Sequence, residues 1–239
     1  MSEDGAEFKV DALRVQPGRR LGGQVRLTAG ADPMTVSRTR IQVNCRNPTD
    51  WDDELGSANH LIYLDETVAA DTRVRDSGSV LIPFHIRIPW ATALTESRGK
   101  PIYPVTMDIR LIAERADRPA LGQIQRLRVV PLPGQLAVLN AAVALGAEPK
   151  TSSLFAGGQI FELPGLSGRT GSAKRLALTT TEHTLAVSWY ELGGPTVDSI
   201  ELTHDQAATE PWPDRLGEWF TRRPSPPLPP LPPPADPAP

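Results

Sequence analysis

The alternation in VLIPFHIRIP (80–89) constrains this chain most tightly. Ile82, Phe84, Ile86 and Ile88 fall on one side of an extended backbone, and His85 and Arg87 on the other. Successive strand side chains point to opposite faces, so a period of two fits a sheet buried on one side. The pattern recurs. In VTMDIRL (105–111), Val105, Met107, Ile109 and Leu111 oppose Thr106, Asp108 and Arg110. In RTRIQVNCR (38–46), Ile41, Val43 and Cys45 oppose Arg40, Gln42, Asn44 and Arg46. In QVRLTA (24–29), Val25 and Leu27 oppose Gln24, Arg26 and Thr28. EFKVDALRV (7–15), HLIYLDETV (60–68) and QIQRLRVV (123–130) carry it more weakly. Turn chemistry lies between them, in QPGRRLGG (16–23), GADP (30–33) and RDSGS (75–79). Seven short alternating segments predict an antiparallel β-sandwich. A parallel sheet under helices would show unbroken apolar runs instead.

The segment 150–205 repeats this grammar more faintly. GGQIFELPG (157–165), KRLALTT (174–180), HTLAVSWYEL (183–192) and DSIELTH (198–204) read as strands, bounded by GLSGRTGS (165–172) and GGPT (193–196). In PWPDRLGEWF (211–220), Trp212, Leu216, Trp219 and Phe220 share one face of a short helix, with Pro213 in its first turn. Between the halves, PLPGQLAVLNAAVALG (131–146) reads as a helix closed by Gly146, with Leu136, Leu139 and Val143 in one stripe and Val138, Ala142 and Leu145 beside it. Only Gln135 and Asn140 are polar, so this helix needs cover over most of its girth. Either it plugs between the first sandwich and the following strands, the favoured reading, or it docks on a partner or a second copy.

Composition narrows the function classes. Net charge is −3, which gives no long-range pull toward nucleic acid or an anionic membrane. No window approaches a transmembrane length of apolar residues. The single cysteine, Cys45, excludes an internal disulfide and fits a reducing compartment. The acidic start MSEDGAEF lacks the features of a secretory signal. Cytoplasmic residence is the expectation.

Catalytic and metal-binding signals are weak. His60, His85, His183 and His204 stand in no HExxH or H-x-E frame. His85 reads as a solvated strand residue. His204 and Asp205 read as neighbours on a strand and so point apart. DWDDE (50–54) lacks the glycine and closing glutamate of a calcium loop and reads as a solvated loop. Trp51 within it either folds back over a sandwich end or anchors a partner. GLSGRTGSAK (165–174) lacks the ending of a phosphate loop and reads as a hairpin loop. No metal or cofactor is expected.

The C-terminal tail has 10 prolines in its last 16 residues and predicts disordered, polyproline-type chain. Arg223, Pro226 and Pro229 satisfy R-x-x-P-x-x-P, and PPLP occurs twice, through Pro226, Pro227, Leu228 and Pro229 and then Pro229, Pro230, Leu231 and Pro232. Such strands lose little entropy on docking in aromatic grooves, so these residues are candidate partner contacts. The alternative is a solubilising extension.

The order FKVDALRVQPGRRLGGQVRLTAG, VLIPFHIRIP, YPVTMDIRLIAERAD and VVPLPGQLAVLNAAVALG resembles the bacterial sporulation-control family called SpoOM. The residues that carry the likeness are Pro17-Gly18, Gly22, Gly23, Pro83-Phe84, Pro89, Val105, Ile109 and the 136–146 helix, with QIFELPG and LAVSWYEL similar in the second half. The resemblance spans roughly 7–222 and rests on order and spacing. It implies an arrestin-like fold of two antiparallel β-sandwich modules. It also implies a cytoplasmic protein without catalytic residues that acts in protein interaction and developmental control. The expected organisation is an N-terminal sandwich over 7–130, a connecting apolar helix over 131–147, a smaller β module with a terminal helix over 148–222 and a disordered tail over 223–239. The second half is short for a full sandwich, so a reduced sheet packed on the first module is an open reading of it. The functional expectation is a non-enzymatic adaptor whose partners are other proteins, with no nucleic acid and no integral membrane. Homodimerisation through the apolar helix or an edge strand stays open. The alternative is a small-ligand or lipid-binding β protein with its pocket between the modules.

Overall fold

Ile41, Val43 and Cys45 are fully buried, and their neighbours along the strand turn away from the core, so this segment forms the spine of a sheet. The structure, a computed structural model, describes residues 4–51, 58–116, 118–155, 157–166, 174–191 and 196–221. The first half contains β1 (Gly5–Val10), β2 (Arg14–Val15), β3 (Arg20–Thr28), β4 (Met34–Trp51), β5 (Ala58–Val74), β6 (Ser79–Arg87), β7 (Glu96–Ser97), β8 (Lys100–Pro101), β9 (Thr106–Glu114) and β10 (Leu121–Val129). A three-stranded sheet, β1-β3-β6, and a five-stranded sheet, β2-β10-β9-β4-β5, hold the core between them. Val25, Leu27, Phe84 and Ile86 come from the first sheet, and Ile41, Val43, Met107, Ile109 and Leu111 from the second. The expected apolar faces are therefore the buried ones.

Local departures have physical causes. Gly22 and Gly23 do not turn the chain. They lie inside β3, opposite His85 and Phe84. A Cβ on Gly23 would come within 2.5 Å of Phe84 Cζ, so glycine makes room for that ring. The short β2 runs parallel to β10, an exception in an otherwise antiparallel fold. Strand β5 continues past the expected 60–68 to Val74, because β4 supplies a partner along most of its length. The outer edge of β1 is capped by side chains. Phe8 N–H donates to Gln123 Oε1 at 2.8 Å, and Gln125 Nε2 donates to Phe8 O at 2.7 Å. Two amides from β10 thus satisfy backbone groups that a bare edge would leave open.

The second half begins with α1 (Pro133–Ala144), followed by β11 (Lys150–Phe155), β12 (Gly158–Glu162), β13 (Lys174–Thr180), β14 (Thr184–Glu191) and β15 (Thr196–Thr203), then α2 (His204–Thr209) and α3 (Trp212–Thr221). The strands form one antiparallel five-stranded sheet in chain order. Its buried face carries Phe161, Leu176, Leu178, Leu185, Val187 and Trp189. The helices cover this face, with Phe220 edge-on to Trp189 at 5.9 Å. Trp212, Leu216 and Trp219 are buried as the helical stripe requires, and Phe220 is half-buried.

Neither β11 nor α2 stands out from the sequence. The strand expected over 198–204 stops at Thr203, which caps α2: Gln206 N–H donates to Thr203 Oγ1, and Thr203 N–H donates to Gln206 Oε1. His204 and Asp205 are therefore first-turn helix neighbours, not strand neighbours. Helix α1 packs on α2 and α3, so its cover comes from its own chain. Its buried face includes Gln135, Val138, Leu139 and Ala142, while Leu136 and Val143 are only half-buried. Polar Gln135 is tolerated inside because both ends of its amide are used. Its Oε1 accepts from Leu132 N–H at 2.9 Å, and its Nε2 donates to Thr180 Oγ1 at 2.8 Å.

Candidate functional site

The junction between the two halves carries an aromatic stack, an ion pair and a buried side-chain amide that reads backbone. The chain leaves β6 at Arg87, and Trp90 follows within three residues. The Trp90 ring stacks on His204, which begins α2. Arg87 pairs with Glu182 at 3.4 Å, and both side chains are exposed. Further along the crossover, Gln159 on β12 reads the backbone of Leu94. Its Oε1 accepts from Leu94 N–H at 2.7 Å, and its Nε2 donates to Leu94 O at 3.1 Å and to Thr151 Oγ1 at 2.6 Å. Thr151 N–H donates to Tyr103 O. A buried amide satisfied on both ends ties the crossover segment at Leu94 to the sheet of the second half.

Beside this seam lies a cavity of about 440 Å³, lined by both halves. Ile102, Leu139 and Val143 supply apolar surface, and Arg98, Lys100 and Glu148 supply charge. Its size and mixed lining suit a small amphiphilic molecule or a side chain from a partner.

A second accessible feature is the rim of the larger sheet. Among the described residues, β5 pairs with β4 alone, leaving its other edge without a strand. Ile62 on this strand is 54% exposed. Three register shifts along β4 and β5 bend the ribbon, which limits uncontrolled edge pairing.

The residues singled out from sequence do not converge. Trp51 ends β4, but its side chain lies outside the described residues, as do residues 52–54 of the acidic run. Arg223, Pro226, Pro227, Leu228, Pro229, Pro230, Leu231 and Pro232 lie outside them as well, and so do residues 167–173 of the glycine-rich loop. His85 is exposed, as expected, and His183 is exposed as well. Among the described residues there is no group of three or more His, Cys, Asp or Glu placed to hold a metal ion. Trp90, Gln159 and His204 were the junction residues that sequence reasoning missed. Trp90 alone gave a usable signal, since a large ring just past the strand-ending Pro89 needs cover from outside that strand.

No helix among the described residues is long and apolar enough to cross a membrane. Comparison with curated proteins finds no match. Among solved structures, the chain is similar to Spo0M, a sporulation control protein from Bacillus subtilis, with TM-score 0.75 and 15% identity over 92% of this chain and 98% of that one. At that identity the likeness speaks for the fold, which is mostly β and arrestin-like. The Pseudomonas fluorescens alkylpurine DNA glycosylase AlkC, bound to DNA containing an abasic site analog, aligns at TM-score 0.32 and 10% identity over 54% of this chain and 31% of that one, too low to indicate a common fold. The family model described as SpoOM protein matches residues 6–161, more than half of the 239. By that match the chain belongs to the SpoOM protein family.

Proposed function

We propose that this chain is a non-enzymatic regulatory adaptor that works through protein–protein contact, in the manner of an arrestin-like scaffold. The observation that carries the reading is the β5 rim, a long strand hydrogen-bonded on one side with an exposed Ile62. An extended partner segment added there would gain main-chain hydrogen bonds, and Ile62 would supply an apolar contact. Membership of a sporulation-control-like family fits a regulatory role. The R-x-x-P-x-x-P stretch at 223–229 offers a separate point of recruitment. Photo-crosslinking in the native cell tests the rim. Discrete protein adducts from position 62, absent from position 81 on β6, support the reading; adducts from neither position count against it. Loss of a captured protein on deleting 224–239 would assign that contact to the tail.

The junction cavity favours a second reading, a small-ligand or lipid-binding protein. Native mass spectrometry of the purified chain would show a copurified molecule, lost in Leu139→Trp, which fills the cavity. A bare mass would remove this reading.

A further inference from the structure

The face of the five-stranded sheet that points away from the core is crowded with arginines that outnumber their partners. Glu96 is shared by Arg14 at 2.8 Å and Arg128 at 3.8 Å. Asp108 is shared by Arg126 at 3.2 Å and Arg46 at 3.8 Å. Glu114 is shared by Arg40 at 2.7 Å and Arg38 at 3.2 Å, and Arg40 also reaches Asp65. Arg110 lies between these groups on β9, opposite Gln42 on β4 and Ile124 on β10, and forms no ion pair among the described residues. Among the described residues, seven arginines therefore face four carboxylates, in a chain whose net charge is −3. Salt-bridge formation within the sheet leaves a local positive surplus.

The unsatisfied groups have the same sign. Asn44 Nδ2, Arg110 Nε and Arg40 Nε are buried without a hydrogen-bond partner among the described residues. All three are donors. Asn44 is 3% exposed and sits opposite Asp108 on β9 and Ile62 on β5. These atoms are covered, so what the surface presents is the guanidiniums of Arg14, Arg46, Arg126 and Arg128, all exposed and sharing two carboxylates, and an acceptor-rich, anionic ligand is what they lack.

We propose that this face binds an acidic polypeptide segment, its carboxylates bridging the exposed, shared arginines Arg14, Arg46, Arg126 and Arg128. The inference rests on the protein-contact reading and names the chemistry of the partner. A polypeptide fits better than a nucleic acid or a lipid surface for two reasons. Ile124 and Ile62, both more than half exposed, sit among the charges and call for apolar side chains between the carboxylates. Tyr103, 69% exposed, is the one strongly exposed ring beside Arg126 and Arg128 among the described residues, and a single ring is not the run of platforms on which successive bases stack.

Fluorescence anisotropy of the full chain with a labelled peptide of glutamates and interspersed leucines tests this. Binding should weaken as salt is raised, and Arg126→Gln with Arg128→Gln should weaken it about tenfold. Arg20→Gln, on the other sheet, should leave it unchanged. Absence of binding at low salt, salt-independent binding, or equal loss in the Arg20 control would overturn the proposal. So would binding of a single-stranded oligodeoxynucleotide or phosphatidylglycerol vesicles in place of the peptide. If the peptide fails while adducts from position 62 persist, the adaptor reading stands without this partner assignment.

Discussion

The indole of Trp90 lies stacked on the imidazole of His204, with ring centroids 5.5 Å apart and planes 20° from parallel. The pair joins the loop after β6 to the first turn of α2, so an aromatic contact bridges the two halves. Gly18 lies close against the indole, where a Cβ would come within 2.3 Å of Trp90 Cη2. Gly18 also has φ +74°, a conformation that suits glycine. Trp90→Ala should cost about 1–2 kcal/mol, from lost burial plus the ring pair. Hydrogen exchange should speed up in α2 more than in β4. Unchanged exchange in α2 would show that the stack does not hold the halves together.

Gln159 is the polar counterpart of that contact. Replacing it with leucine keeps the volume but strips Leu94 N–H and O of their partners in a buried setting. Leaving buried backbone groups unpaired costs about 1–3 kcal/mol. Urea unfolding of Gln159→Leu should show that loss. Thr151→Val should cost less, since Thr151 meets the same amide through a single hydroxyl.

What the sequence disclosed follows from where the period-two signal is strong. Ile82, Phe84, Ile86 and Ile88 announced β6 because one face meets a core and the other meets water. The signal fails where polar side chains are buried for a reason outside the strand. Gln42 and Asn44 looked like solvent positions, yet both are covered beneath the arginine network of the outer face. Gln135 looked like the polar side of α1 and is instead its interior anchor. Strand β11, KTSSLF, carries little apolar alternation, and its place depends on pairing with β12. The junction depended on residues distant in sequence, Trp90 with His204 and Leu94 with Gln159, and no local pattern encodes such pairs. The arginine alternation of 38–46 was legible, but the sharing of each carboxylate by two arginines was not.

Asp4 ties the chain start to the far end of the sandwich. Its Oδ1 accepts from Gly30 N–H at 2.9 Å, and its Oδ2 meets Arg115 at 2.8 Å and Arg118 at 3.0 Å. The Gly30 hydrogen bond, with the two guanidiniums, holds the carboxyl below its ordinary value of 3.8. A carboxyl with a depressed folded pKa stabilises the fold above the ordinary value, and the contribution is lost as pH falls through the folded one. Wild type should therefore exceed Asp4→Asn in Tm at neutral pH, and the gap should close below pH 3.8. Thermal melts across that range check the sign. A gap that widens on acidification would contradict it.

Gly134 sits in the first turn of α1, where alanine would ordinarily help by about 1 kcal/mol through helix propensity. Here an added Cβ would stand 2.7 Å from the Ala207 Cβ on α2 and 3.4 Å from Leu185 Cδ2 on β14. The first distance is far inside contact, and the obstacle is a short side chain fixed to a helix, with no flexible end to swing aside. Relief therefore requires α1 and α2 to separate, and overpacking of this kind costs about 1–3 kcal/mol. The packing loss should outweigh the propensity gain, so Gly134→Ala should lower Tm. Ala207→Gly removes the obstructing methyl, so the double variant should be more stable than the sum of the two single changes predicts. Additive losses, or a stabilised Gly134→Ala, would mean that the helices over this sheet can move apart freely and that the close approach of α1 to α2 contributes little to holding the second half together.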